Sequence, residues 1–196
     1  MSSTNEQRVR QLFEDNLATH QDSRDRMAES IARAGALLAQ ALSDGRRVLS
    51  CGNGGSAADA QHFAAELIGR FEKEREALPA VALSTDTSAL TAIGNDYGFD
   101  RVFSRQVEGL GQEGDILLAI STSGNSPNVV QAIEAAQSRK MRVIALTGRD
   151  GGAMRDQMSE NDIELRVPSD STARIQEVHI LILHCLCDLT DNLAHE

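Results

Sequence analysis

Between residues 46 and 167, five short apolar runs recur, and most are followed by a stretch long enough for a helix. The runs are 47–51 (RVLSC), 80–84 (AVALS), 115–120 (DILLAI), 141–146 (MRVIAL) and 163–167 (IELRV). Apolar runs this short read as strands buried in a sheet. Strands that alternate with helices run parallel, because the chain must cross back over the sheet before the next one starts. The rhythm therefore predicts a doubly wound α/β fold, a five-stranded parallel sheet flanked by helices. Aromatic residues make up only 3% of the chain, with no Trp and one Tyr, so the core must be aliphatic, as a buried parallel sheet requires.

The spacing predicts helices over 56–71, over a Thr/Ser-rich piece ending near Asn95, and over 99–110, 127–139 and 172–193, with a short one after Gly151-Gly152. Pro127 suits the first turn of its helix, where a missing N–H costs nothing. Two further helices, 6–19 and 27–42, precede any strand. The first carries Val9, Leu12, Phe13 and Leu17 on one stripe, and the second stops before Ser43-Asp44-Gly45. Their apolar faces must cover the sheet or another subunit. With 196 residues and no linker, repeat or low-complexity tract, the chain reads as one domain, 1–196. Residues 1–44 would contribute to an oligomer and 45–196 would form the α/β core.

Open parallel sheets bind ligands beyond the carboxyl ends of their strands, and two loops there stand out. After the first run comes Gly52-Asn53-Gly54-Gly55-Ser56. This is no dinucleotide fingerprint, since Ala57 stands where a third glycine is needed, and no Gly-Lys-Ser/Thr follows to make a P-loop. It is either a plain strand-to-helix turn or a place where backbone approaches a ligand. After the third run come Ser121, Thr122, Ser123, Gly124, Asn125 and Ser126. Four hydroxyls, an amide and a following helix N-terminus make a phosphate cup without a cation. The plainer reading is that Ser126 caps the helix.

His62 and Glu66 fall four residues apart on one helical face, a pair suited to proton transfer, to metal binding, or to nothing beyond a surface ion pair. On the last helix, Gln176 and His184 lie about 80° apart around the axis and can border one cleft. His179 points elsewhere, and periodicity alone does not promote His184 above a core residue. The charge run 70–75 reads as a solvated face, except that Arg70 lies one turn beyond Glu66 and can reach an anion.

A formal net charge of −10 lacks the basic footprint of a nucleic-acid or anionic-membrane binder. Three cysteines (Cys51, Cys185 and Cys187), without C-x-x-C spacing or a leader pattern, predict packing roles in a reducing cytoplasm.

Taken together, CGNGGS, HFAAEL, GNDYGF, AISTSGNS and RIQEVHILILH resemble the sugar isomerase (SIS) domain family, in order and over nearly the whole chain. The resemblance implies an aldose–ketose isomerase. It would convert sedoheptulose 7-phosphate to D-glycero-D-manno-heptose 7-phosphate through an enediol, at the first step towards ADP-heptose and lipopolysaccharide core. It implies one zinc ion per subunit on His62, Glu66, Gln176 and His184, with Glu66 and His184 as the acid–base pair. Substrate positions carried over are Asn53, Gly54, Gly55, Ser56, Glu66, Asn95, Asp96, Ser121, Thr122, Ser123, Ser126 and Gln176. It also implies a homotetramer with active sites between subunits. Some members carry an acidic residue where this chain has Ala173. The ending, ARIQE and later CLCDL, also resembles the DnaA initiator-associating protein of the same fold. A DnaA-binding regulator and a non-catalytic sugar-phosphate binder are therefore the alternatives.

Overall fold

In the computed structural model, which describes residues 4–193, the five predicted strands form one parallel sheet in the order β2-β1-β3-β4-β5. They are β1 (Val48–Gly52), β2 (Ala80–Ala82), β3 (Ile116–Ile120), β4 (Arg142–Gly148) and β5 (Ile163–Val167). β1 pairs with β3 from Val48↔Ile116 to Gly52↔Ile120, so these two strands end side by side. Every residue of β1 and β3 is buried, which is why neither shows the alternation of a half-exposed strand.

The described residues form seven α-helices: α1 (Thr4–Ser43), α2 (Gly55–Ile68), α3 (Thr87–Tyr97), α4 (Ser104–Leu110), α5 (Pro127–Ser138), α6 (Gly152–Gln157) and α7 (Thr172–Leu193). Strand residues alternate between two cores. Val48, Ile116, Leu118, Ile120 and Leu146 face α1, α2 and α7, while Leu49, Cys51, Leu117, Ala119 and Val143 face α4, α5 and α6.

The N-terminus differs from expectation. The two helices predicted over 6–19 and 27–42 are a single helix of 40 residues. The polar stretch between them contains neither Gly nor Pro. Instead of breaking the helix it is tied within it, by the Ser23 hydroxyl donating to the Thr19 carbonyl at 2.7 Å and by an Arg26–Asp22 pair one turn apart. The helix predicted over 99–110 is divided into a 3-10 turn, Phe99–Arg101, and α4. Val102 and Phe103, which join the two pieces, keep right-handed helical dihedrals and are both buried.

Candidate active site

The strand order turns at β1. From β1 the chain crosses outward to β2 on one side, whereas β3 begins the run towards β4 and β5 on the other. Such a reversal opens a crevice at the carboxyl ends of the two adjacent strands. The glycine turn leaves β1 there and the hydroxyl loop leaves β3.

The two loops are joined by a pair not anticipated from sequence. The Asn53 amide donates to Asn128 Oδ1 at 2.8 Å, and the Asn128 amide donates back to Asn53 Oδ1 at 2.9 Å. Asn128 is buried in the first turn of α5. Gly54 occupies φ 56°, ψ −120°, a region closed to residues with a Cβ, and this aims the chain into α2. A Cβ on Gly55 would stand 2.4 Å from Gln176 Nε2, so the turn admits the carboxamide of a residue 121 positions later only because it lacks a side chain there.

In the hydroxyl loop, Ser121 Oγ and Ser126 Oγ lie 2.9 Å apart. Ser126 is the N-cap residue of α5, but its hydroxyl makes no capping bond. It faces Ser121 instead, so the plain helix-cap reading does not hold. Ser123 Oγ accepts from the Asn125 backbone N–H at 3.2 Å, and Gly124 takes φ 67°. Thr122 is half-buried beside them, and its carbonyl lies against Gly148, which also packs on Ile175 at the start of α7. The loop after β3 therefore sits next to the helix that carries Gln176 and His184. Ser56 is buried in the first turn of α2.

His62 and Glu66, on the exposed side of α2, meet α7. His62 Nε2 is 3.5 Å from Glu66 Oε1 and 2.9 Å from His184 Nε2. Two ring nitrogens at that distance share one proton, donated by whichever ring carries it on Nε2. The rings cross edge-on at 5.2 Å between centroids, and Phe71 lies against the other side of His184 at 5.5 Å. His179 behaves differently: it is fully buried, its Nε2 is 3.0 Å from the Thr147 carbonyl, and burial lowers its pKa to about 4.

Asp59, one turn before His62, was also missed. Its Oδ2 is buried with no hydrogen-bond partner, and burial pushes its pKa up to about 6, opposed by His62. Its i−3 spacing from His62 is the signal that was available in the sequence. The far end of α2 is fixed by Arg75, which donates to the Glu66 carbonyl at 2.8 Å and the Leu67 carbonyl at 2.9 Å. Arg75 also pairs with Asp191 at 2.7 Å, and both side chains are buried. The run 70–75 is thus not wholly solvated.

Arg70 is exposed and turned to Glu72 and Glu74, outside the cluster. Asn95 and Asp96 are exposed on α3, where the Asn95 amide donates to Asp96 at 2.7 Å. No residue of α3 is buried. Burial raises the thiol pKa of Cys51 and Cys187 to about 12, which suits packing rather than ligation.

His62, His184 and Glu66 bring two imidazoles and a carboxylate together, and Gln176, which reaches Gly55 from the same α7, would add the carboxamide of a zinc-type donor set. Among the described residues, no group of three or more His, Cys, Asp or Glu side chains already stands as a metal cage. The fit is therefore one of donor chemistry, and it requires Gln176.

The SIS domain family pattern matches residues 11–148. The chain is 60% identical over 185 residues to the phosphoheptose isomerase of Halorhodospira halophila, covering 94% of this chain and 93% of the relative. Among solved structures it is similar to phosphoheptose isomerase GmhA from Neisseria gonorrhoeae, with a TM-score of 0.92 and 53% identity over 96% of this chain and all of that one. It is also similar to a phosphoheptose isomerase from Francisella tularensis, with a TM-score of 0.94 and 46% identity over 97% of this chain and all of that one.

Proposed function

We infer the function from one fact: the chain belongs to the SIS domain family, and its near-full-length relatives are phosphoheptose isomerases. It is an aldose–ketose isomerase that converts sedoheptulose 7-phosphate to D-glycero-D-manno-heptose 7-phosphate. The meeting of His62, Glu66 and His184 supports the reading, as does a Gln176 carboxamide that reaches the glycine turn from α7. In this reading the acid–base cluster and the hydroxyl-rich loop serve one substrate.

In this reading the 121–126 loop holds the substrate phosphate through hydroxyls and N–H groups at the α5 N-terminus. The Glu66 carboxylate removes a proton from C1 and returns it to C2. His184 gives a proton to the C2 oxygen and accepts one from the C1 oxygen, which balances ketose to enediol to aldose. Asn53, Gly54, Gly55 and Ser56 bring backbone to the sugar, and Gln176 orients it. His62, Glu66, Gln176 and His184 would hold a zinc ion, which supplies Lewis-acid stabilisation of an oxyanion when bound. Metal analysis of protein purified without chelator tests that part independently of turnover, and a His62→Ala variant should lose the metal.

The same reading makes the enzyme a cytoplasmic homotetramer supplying lipopolysaccharide core synthesis. Supporting this, Val9, Phe13 and Leu17 leave an apolar stripe of α1 uncovered, and α3 has no buried residue. Among the described residues, no helix is long and apolar enough to cross a membrane.

The test is to mix purified protein with sedoheptulose 7-phosphate and follow the aldose by NMR. Turnover is expected. Its absence, with and without added zinc, would reject the reading in favour of a sugar-phosphate or DnaA binder.

A further inference from the structure

At the sheet edge formed by β5, two strands away from β3, the middle of α1 and the β4–α6 loop enclose a cleft of about 460 Å³. Arg26 of α1, Arg149 of the loop and Arg166 of β5 all line it. Three guanidinium groups from three elements thus share one space in a chain of net charge −10. Like charges brought together this way repel unless a counter-charge lies between them.

The protein supplies part of that counter-charge. Among the described residues, Arg26 alone of the three has a carboxylate partner, Asp22 at 2.6 Å, one turn away on the same face of α1. Arg166 donates to the Asp150 carbonyl at 2.8 Å, and Arg149 only approaches the Thr172 hydroxyl at 3.5 Å. Glu164 adds a carboxylate in the cleft wall, its Oε1 accepting the Thr147 hydroxyl at 2.7 Å, and neither Arg149 nor Arg166 is paired with it. Arg149 is moreover held at φ 54°, in the left-handed region that disfavours any residue with a Cβ. Its N–H donates to the Ser169 carbonyl at 3.0 Å, which fixes that conformation.

We propose that this cleft is a second anion site, one that takes the phosphate of a small phosphorylated metabolite. Guanidinium groups match phosphate oxygens in bidentate pairs, and the cleft, large enough to admit a phosphate, keeps a net positive charge after Asp22 and Glu164 are counted. The loop bearing Arg149 is also packed against the hydroxyl loop. A Cβ on Gly124 would stand 1.9 Å from the Gly151 carbonyl, the Met154 N–H donates to the Gly124 carbonyl at 2.9 Å, and the Ala153 N–H donates to Asn125 Oδ1 at 2.9 Å. An anion seated in the cleft therefore bears on the backbone that flanks the Ser121 to Ser126 hydroxyls. The assignment stands on the arginines alone, whether or not the hydroxyl loop holds substrate phosphate.

The experiment is equilibrium dialysis of the full chain against inorganic orthophosphate, using wild type, an Arg26→Gln/Arg149→Gln double variant and a Ser121→Ala/Ser126→Ala double variant. Arg166 is kept because it holds the Asp150 carbonyl. Wild type should bind one phosphate in the cleft and another in the hydroxyl loop. The arginine variant should keep only the loop phosphate, with cleft affinity weakened by about tenfold or more and turnover in phosphate-free buffer unchanged. The serine variant should keep only the cleft phosphate. If wild type binds a single phosphate that the arginine changes remove, the cleft stands and the hydroxyl-loop reading falls. Phosphate binding indifferent to the arginine changes overturns the proposal. So does an altered oligomer mass in the arginine variant, which would mean that another copy's carboxylate closes the cleft.

Discussion

His179 and His184 lie five residues apart on α7, yet one is sealed in the core and the other meets His62. Five residues turn a helix through about 140°, so the two cannot serve one cleft. The sequence already turned His179 away from the face shared by Gln176 and His184, but periodicity alone did not show that this face meets α2, because both histidines sit among Ile and Leu. The choice follows from α7 being wedged between α1 and the sheet. His179 should make the fold acid-sensitive. Its folded pKa of about 4 lies below the unfolded value of 6.5, so the unfolded chain takes up the proton first. The stability this contributes is full above pH 6.5 and is lost as pH falls towards 4. The stability difference between wild type and a His179→Gln variant, from urea midpoints, should shift against wild type by about 2 kcal/mol between pH 7 and pH 5. Asp59 pulls the opposite way, since a raised carboxylate pKa favours the folded state as pH falls through about 6, so the comparison must be made against wild type at each pH. Glu66→Gln is the matching test of chemistry. It should lower kcat by about 10²–10⁴-fold with the urea midpoint nearly unchanged, and retained activity would remove Glu66 from the proton path.

At the scale of elements, the sequence revealed the strands and most helices because periodicity is local, but it did not reveal how two loops are held together. Asn128 follows Pro127 and looks like any polar residue opening a helix; its partner Asn53 lies 75 positions away. Likewise nothing local could disclose that the glycine at position 55 makes room for Gln176. Asn128→Ala would leave the buried side of the Asn53 amide without a partner, which costs about 1–3 kcal/mol. Because the pair ties the β1–α2 turn to the start of α5, the same change should raise KM for the sugar phosphate more than it lowers kcat. A variant with wild-type stability and KM would show that the loops hold their places without the pair. The merging of the two N-terminal helices has the same origin: charged residues between two apolar stripes looked like a boundary, while i, i+4 pairing made them an ordinary exposed turn of α1.

On the whole-molecule scale, the part left unsatisfied is the outside of α1. Val9, Phe13 and Leu17 are 51%, 68% and 59% exposed, and they were read from the sequence as a stripe that must cover something. Within one chain they cover nothing. Each such side chain stabilises by about 1.5–3 kcal/mol when buried, so several copies meeting along this stripe have a strong reason to associate. The exposed α3, with Tyr97 under the Arg105 guanidinium and Asn95 and Asp96 beside it, offers a second uncovered surface close to the β2 edge. If copies of this chain assemble through α1, Phe13→Glu with Leu17→Glu should leave each chain folded, because both side chains already face solvent. The mass measured by light scattering should fall from about four chains to one or two, and turnover should fall with it if Asn95 and Asp96 reach the substrate from a neighbouring copy. A tetramer that survives both charges would move the interface elsewhere, and full activity in a dissociated chain would mean that the cluster of His62, Glu66, Gln176 and His184 works within a single subunit.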